Sequence, residues 1–112
     1  MTPDDFRRIA LALPGAEESS HMGAADFRVG GRIFATLAAE AQGLGMVKLP
    51  AEQQEMLIQA EPDRFRPVPG GWGRMGCTHV VLAEADEATL QSALQMAFEA
   101  RQAANTRTKR KR

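Results

Sequence analysis

Cysteine is nearly missing from this chain: Cys77 is the only one in 112 residues. An intrachain disulfide is therefore excluded, which fits a reducing compartment, and a cytoplasmic protein is expected. Long apolar runs are also missing. None approaches the ~20 residues that a membrane span needs, so no membrane partner is expected. The opening Met1-Thr-Pro-Asp-Asp has neither the basic nor the apolar region of a secretory signal. Tyrosine is absent, and tryptophan occurs once, at Trp72. No C-x-x-C, H-E-x-x-H or G-x-S-x-G occurs, so the common zinc and serine-nucleophile chemistries lack their local signatures. What is present is ordinary for one globular α+β domain: 44% hydrophobic and 25% charged residues.

Net charge is zero, but it is unevenly spread. Arg107, Lys109, Arg110, Lys111 and Arg112 crowd the last eight residues without an acid, which leaves residues 1–104 at a net −5. A domain over 1–104 followed by a basic, disordered tail over 105–112 is expected. Such a tail either stays solvated or contacts a polyanion such as nucleic acid.

Local patterns order the elements. Thr2 is a good N-cap, Pro3 suits the first helical turn, and Asp4 and Asp5 lie at the positive end of the dipole. Phe6, Ile9, Ala10 and Leu13 then form one helical stripe, stopped by Pro14-Gly15. A short strand is expected over 19–22. Residues 26–29 and 32–37 read as a hairpin across Gly30-Gly31, a pair suited to a type I′ turn. That register sets Val29 opposite Arg32 and Phe27 opposite Phe34, and puts Phe27, Val29 and Phe34 in the core. Ile33, Ala35 and Leu37 then fall on the other face with Arg28, a conflict that a bulge or a covering element relieves. A strand over 44–49, a helix over 50–60 and a long irregular Pro- and Gly-rich segment over 62–76 follow. A strand over 77–82 has Thr78, Val80 and Leu82 on one side. A final helix is capped by Asp86 and runs to about Ala104. Antiparallel hairpins flanked by terminal helices predict a two-layer α+β sandwich, with both terminal helices on one sheet face and the other face open for binding.

Candidate chemistry is sparse. Cys77 and His79 share a strand face, and with His21 they make only a partial zinc site, so no metal is expected. Cys77 with His21 is a thiol–imidazole pair without a supporting signature, and no enzymatic activity is expected. Gly71-x-Gly73-x-x-Gly76 leads into a strand rather than a helix, which excludes a dinucleotide fingerprint. No cofactor is called for. Nucleic-acid contact has more support. Arg28, Arg32, Lys48 and Arg74 are candidate phosphate ligands, joined by Lys109, Arg110, Lys111 and Arg112 of the tail. Trp72, flanked by glycines, either plugs the open end of the core or stacks on a base.

Several segments together resemble the MmcQ/YjbR family: Leu13-Pro-Gly-Ala-Glu-Glu, Ser20-His-Met-Gly, Asp26-Phe-Arg-Val-Gly-Gly-Arg-Ile-Phe-Ala, Met46-Val-Lys-Leu, and Trp72-Gly-Arg before a Thr-x-Val-x-Leu strand. The resemblance spans nearly all of 2–103. It implies a CyaY-like (frataxin-like) fold and DNA binding through hairpin wings, with no catalytic residues. Many members carry a His- and Lys-rich stretch before the last strand, where this chain has Gly73-Arg-Met-Gly. Frataxin-like iron binding is not expected, because Asp4 and Asp5 are offset by Arg7 and Arg8. The expected protein is a DNA-binding domain, a monomer or at most a weak homodimer. The alternative is a protein-interaction or small-ligand module that uses the open sheet face.

Overall fold

Thr2 caps the first helix through a reciprocal box: its hydroxyl accepts from the Asp5 backbone, and the Asp5 carboxylate accepts from the Thr2 backbone. In the computed structural model, which describes residues 1–110, this helix is α1 (Pro3–Leu11). Six strands follow in the chain: β1 (Glu17–His21), β2 (Ala24–Val29), β3 (Arg32–Thr36), β4 (Leu44–Lys48), β5 (Phe65–Pro67) and β6 (Cys77–Val81). Helix α2 (Ala51–Ala60) lies between β4 and β5, the one-turn α3 (Gly71–Arg74) lies between β5 and β6, and α4 (Glu87–Arg110) ends the described chain. The strands form one antiparallel sheet in the order β1-β2-β3-β4-β6-β5. Helix α4 packs across β2, β3 and β4, with α1 beside it. The molecule is the α+β two-layer sandwich that the sequence predicts.

The core lies between this sheet and the two terminal helices. Phe6, Phe27, Phe34, Leu90 and Leu94 are fully buried. The Phe6 and Phe27 rings lie 5.8 Å apart, and Phe34 meets Phe98 edge-on at 5.5 Å. Such pairs contribute about 0.5–1.5 kcal/mol beyond the burial of their area.

The hairpin conflict is resolved by a bulge. Gly30 and Gly31 take the expected positive φ, +61° and +78°, and Val29 does face Arg32. The register then shifts between Phe27 and Arg28, so Phe27 faces Ala35 rather than Phe34. Two consecutive β3 residues, Phe34 and Ala35, are thereby both buried, and Leu37 follows them into the core. Thr36 pairs with Asp26 on the opposite face.

Two further expectations change. The segment 62–76 is not wholly irregular: β5 pairs with β6, bringing Phe65 opposite Val80, and α3 follows. Proline is tolerated in β5 because that strand lies at the sheet edge. The final helix passes the expected end at Ala104 and continues to Arg110. No Gly or Pro interrupts 101–110, and Asn105 Nδ2 ties the helix to the Val29 carbonyl at 3.0 Å.

Candidate functional site

The sheet face away from α1 and α4 carries the alternate residues of each strand. Cross-strand register sets Asp26, Thr36, Met46 and His79 in one row across four strands, with Arg66 beyond them on β5. Lys48 and Cys77 pair one step along, and Arg28 faces Ile33.

Asp26 organises one side of this face. It is fully buried, yet it is a carboxylate. Arg28 grips it with two bonds, Nε to Oδ1 at 2.8 Å and Nη2 to Oδ2 at 3.1 Å, and His21 Nδ1 lies 2.8 Å from Oδ2. The Arg28 guanidinium, helped by His21, holds the Asp26 carboxyl below its usual range against the opposing effect of burial. A guanidinium has five N–H groups, so three on Arg28 remain beyond these two bonds.

Trp72 stands on the other side, on α3. Two contacts fix that turn although it has a single helical turn and two glycines. A Cβ on Gly73 would meet the Val68 carbonyl oxygen at 2.1 Å, so only glycine lets α3 sit down on the chain there. Gln54 of α2 then donates through Nε2 to the Gly73 carbonyl at 3.0 Å, the Cys77 carbonyl at 3.2 Å and Thr78 Oγ1 at 3.1 Å, bracing α3 against β6. Trp72 does not plug the core: it is 66% exposed and leans over the sheet face.

Two connected hollows result. A cavity of about 440 Å³ is lined by Arg28, Arg32, Lys48 and Arg101 together with Trp72 and Met46. A smaller one, about 230 Å³, is lined by Trp72, His21, His79, Cys77, Met46 and Thr36, among others, and has no Lys or Arg in its wall. Strands lie about 4.8 Å apart, so β1 and β6 would be about 19 Å apart in a flat sheet. His21 of β1 and His79 of β6 nonetheless border the same small hollow, so the sheet curls towards this face.

Charge is sorted along α4. At its start, Arg8 meets Glu87 at 2.9 Å and Arg64 meets Thr89, in a neighbourhood that also holds Asp5, Glu61 and Asp86. At its far end, Arg101 Nε donates to the Ile33 carbonyl and Asn105 to that of Val29, which places α4 beside the Gly30-Gly31 turn and Arg32. Of the candidate cations, Arg28, Arg32 and Lys48 converge on the larger cavity, whereas Arg74 is exposed on α3 and does not line it. Lys109 and Arg110 end the described helix at this same end, and Lys111 and Arg112 lie outside the described residues. Arg101, which is not among the candidate cations, also lines the cavity.

The thiol and imidazoles do share a wall, but Cys77 is poorly set for attack: burial pushes its thiol up, opposed only by nearby Lys48. Burial, with Arg66 nearby, pushes His79 below its ordinary value and keeps it neutral at pH 7. Among the described residues no group of three or more His, Cys, Asp or Glu side chains is placed to hold a metal ion.

Comparison with known proteins bears on the family and the fold. A family model described as YjbR matches residues 11–100. The crystal structure of Deinococcus radiodurans protein DR2400, with the family-model domain DUF419, superposes with a TM-score of 0.71 at 24% identity, covering 87% of this chain and 75% of that one. That likeness is one of fold. A comparison with curated proteins gave no match.

Proposed function

The chain belongs to the YjbR family, and from that premise we propose that it is a non-enzymatic DNA-binding protein that grips phosphates at the cationic end of its curled sheet. We read its fold as CyaY-like and its location as cytoplasmic. One observation carries the reading: Arg28, Arg32, Lys48 and Arg101 line one cavity with an exposed Trp72, at the end of the molecule where α4 leads into the basic segment. Such cations attract a phosphate backbone with little sequence preference. The raised thiol of Cys77 makes it a poor nucleophile.

The test is fluorescence anisotropy of labelled DNA against the full chain at several salt concentrations. For duplex, log K falls with log salt by about 0.9 per phosphate neutralised. Arg32→Ala and Lys48→Ala are each expected to weaken binding and to make that slope shallower by about 0.9. Unchanged slopes in both variants would remove the cavity from the interface. A second reading, a small-ligand or protein-interaction module, is favoured by the cation-free hollow beside Trp72. It gains if binding is lost entirely when the basic residues of 107–112 are neutralised.

A further inference from the structure

Resting on the nucleic-acid reading, we infer that the hollow beside Trp72 receives one unpaired base of a single strand, while the strand's phosphates lie in the adjoining cationic basin.

The two hollows differ in chemistry and are continuous in space. They share His21, Thr36, Met46, Trp72 and Cys77, so they form one trough with two ends. One end is cationic. The other has no Lys or Arg among its wall residues, and the imidazoles of His21 and His79 and the Thr36 hydroxyl offer hydrogen bonds beside apolar Ala38, Ala39, Met46 and Val68. A flat, uncharged heteroaromatic ring joined to an anion matches that division, and a nucleotide has that form.

Size and geometry narrow the occupant. Pockets for drug-sized ligands run about 300–1,000 Å³, so a hollow of about 230 Å³ suits one ring system rather than a larger molecule. The indole of Trp72 forms an exposed wall on which a ring can stack, and Met46 brings a polarisable sulfur to the floor. In a duplex the bases are stacked and paired inside the helix, so only an unstacked base reaches such a hollow.

Trp72 reports on its own site, since the chain has no second Trp and no Tyr. The full chain is titrated with four probes: a 12-nucleotide thymidine strand, an abasic strand of the same length, a 12-base-pair duplex and free thymidine monophosphate. The thymidine strand is expected to quench Trp72 emission and to bind about tenfold more tightly than the abasic strand. Trp72→Ala, followed by anisotropy, is expected to erase that tenfold preference. Ala38→Phe, which fills the hollow from its exposed rim, is expected to erase it too. If the abasic strand and the duplex bind as well as the thymidine strand, the hollow takes no base and this inference falls while the nucleic-acid reading stands. If thymidine monophosphate binds as tightly as the strand, the strand assignment is overturned. If no probe binds, both readings fall together.

Discussion

At the scale of single residues, Asp26 is the most consequential side chain on the open face. It is fully buried and holds Arg28 and His21 in place, so it sets where the first cation of the basin points. Hydrogen bonds to a charged group contribute about 1.5–3 kcal/mol each, and losing a buried partner costs a similar amount. Asp26→Asn, which retains shape but not charge, is expected to destabilise the fold by about 1–3 kcal/mol at pH 7. The pH dependence follows from the direction of the shift. The folded carboxyl titrates below its unfolded value of about 3.9. Its stabilisation is therefore complete above that unfolded value and fades as pH falls through the lower folded one. Urea midpoints of wild type and Asp26→Asn should thus differ most at neutral pH and draw together as pH falls below the unfolded value. A gap that stays constant across that range would show that the charge of Asp26 is not what matters. The sequence offered a signal for this pair, an acid and a base two apart on one strand face. Nothing local showed that His21, from a neighbouring strand, completes it.

At the scale of elements, α3 is held by its neighbours rather than by its own residues. Gly71 and Gly73 are among the poorest helix formers, and a single turn has no cooperative stability. Its position comes from the close seat of Gly73 on Val68 and from Gln54, which reaches across from α2. Gln54→Ala is expected to free α3, alter Trp72 emission and weaken DNA binding, with α1 and α4 still folded by far-ultraviolet circular dichroism. Gly73→Ala is expected to do the same and to cost about 1–3 kcal/mol, the range for forcing atoms into a packed site. Trp72 emission unchanged in both would mean that α3 is seated by other contacts. This is also where the sequence was hardest to read. Helix α1 was legible because its cap, its proline and its apolar stripe lie within a dozen residues, and the Gly30-Gly31 hairpin because two glycines announce their turn. Strand β5 has three residues, too few for alternation to register, and Phe65 becomes a core residue only because β6 pairs with it. Phe34 and Ala35 are both buried by a bulge, which breaks the period-two rule from which facing is read.

At the scale of the whole molecule, a net charge of zero conceals a long separation. Helix α4 has 24 residues and so runs about 36 Å, much of the molecule's longest extent of 42 Å. Acids and their partners gather at its start, and Arg28, Arg32, Lys48 and Arg101 gather near its end. Mobile ions screen charge within about 8 Å at physiological salt, so a ligand at one end barely feels the other. Each of those four cations stood in the sequence, but their convergence depends on strand order and on α4 returning across the sheet, with Arg101 meeting a carbonyl 68 positions away. Net charge, a single number for the chain, carries none of that. The consequence is measurable in association. If the cavity and the basic segment 107–112 act on one polyanion, neutralising the five cations of that segment to Gln should flatten the duplex salt slope by about 4.5 and leave a shallower remainder due to the cavity. Adding Arg32→Ala and Lys48→Ala should then remove most of that remainder. If the Gln variant already shows no salt dependence, the cavity contributes nothing and the polyanion meets the basic segment alone. If the slope barely changes, the sheet face holds the strand and the segment lies away from it.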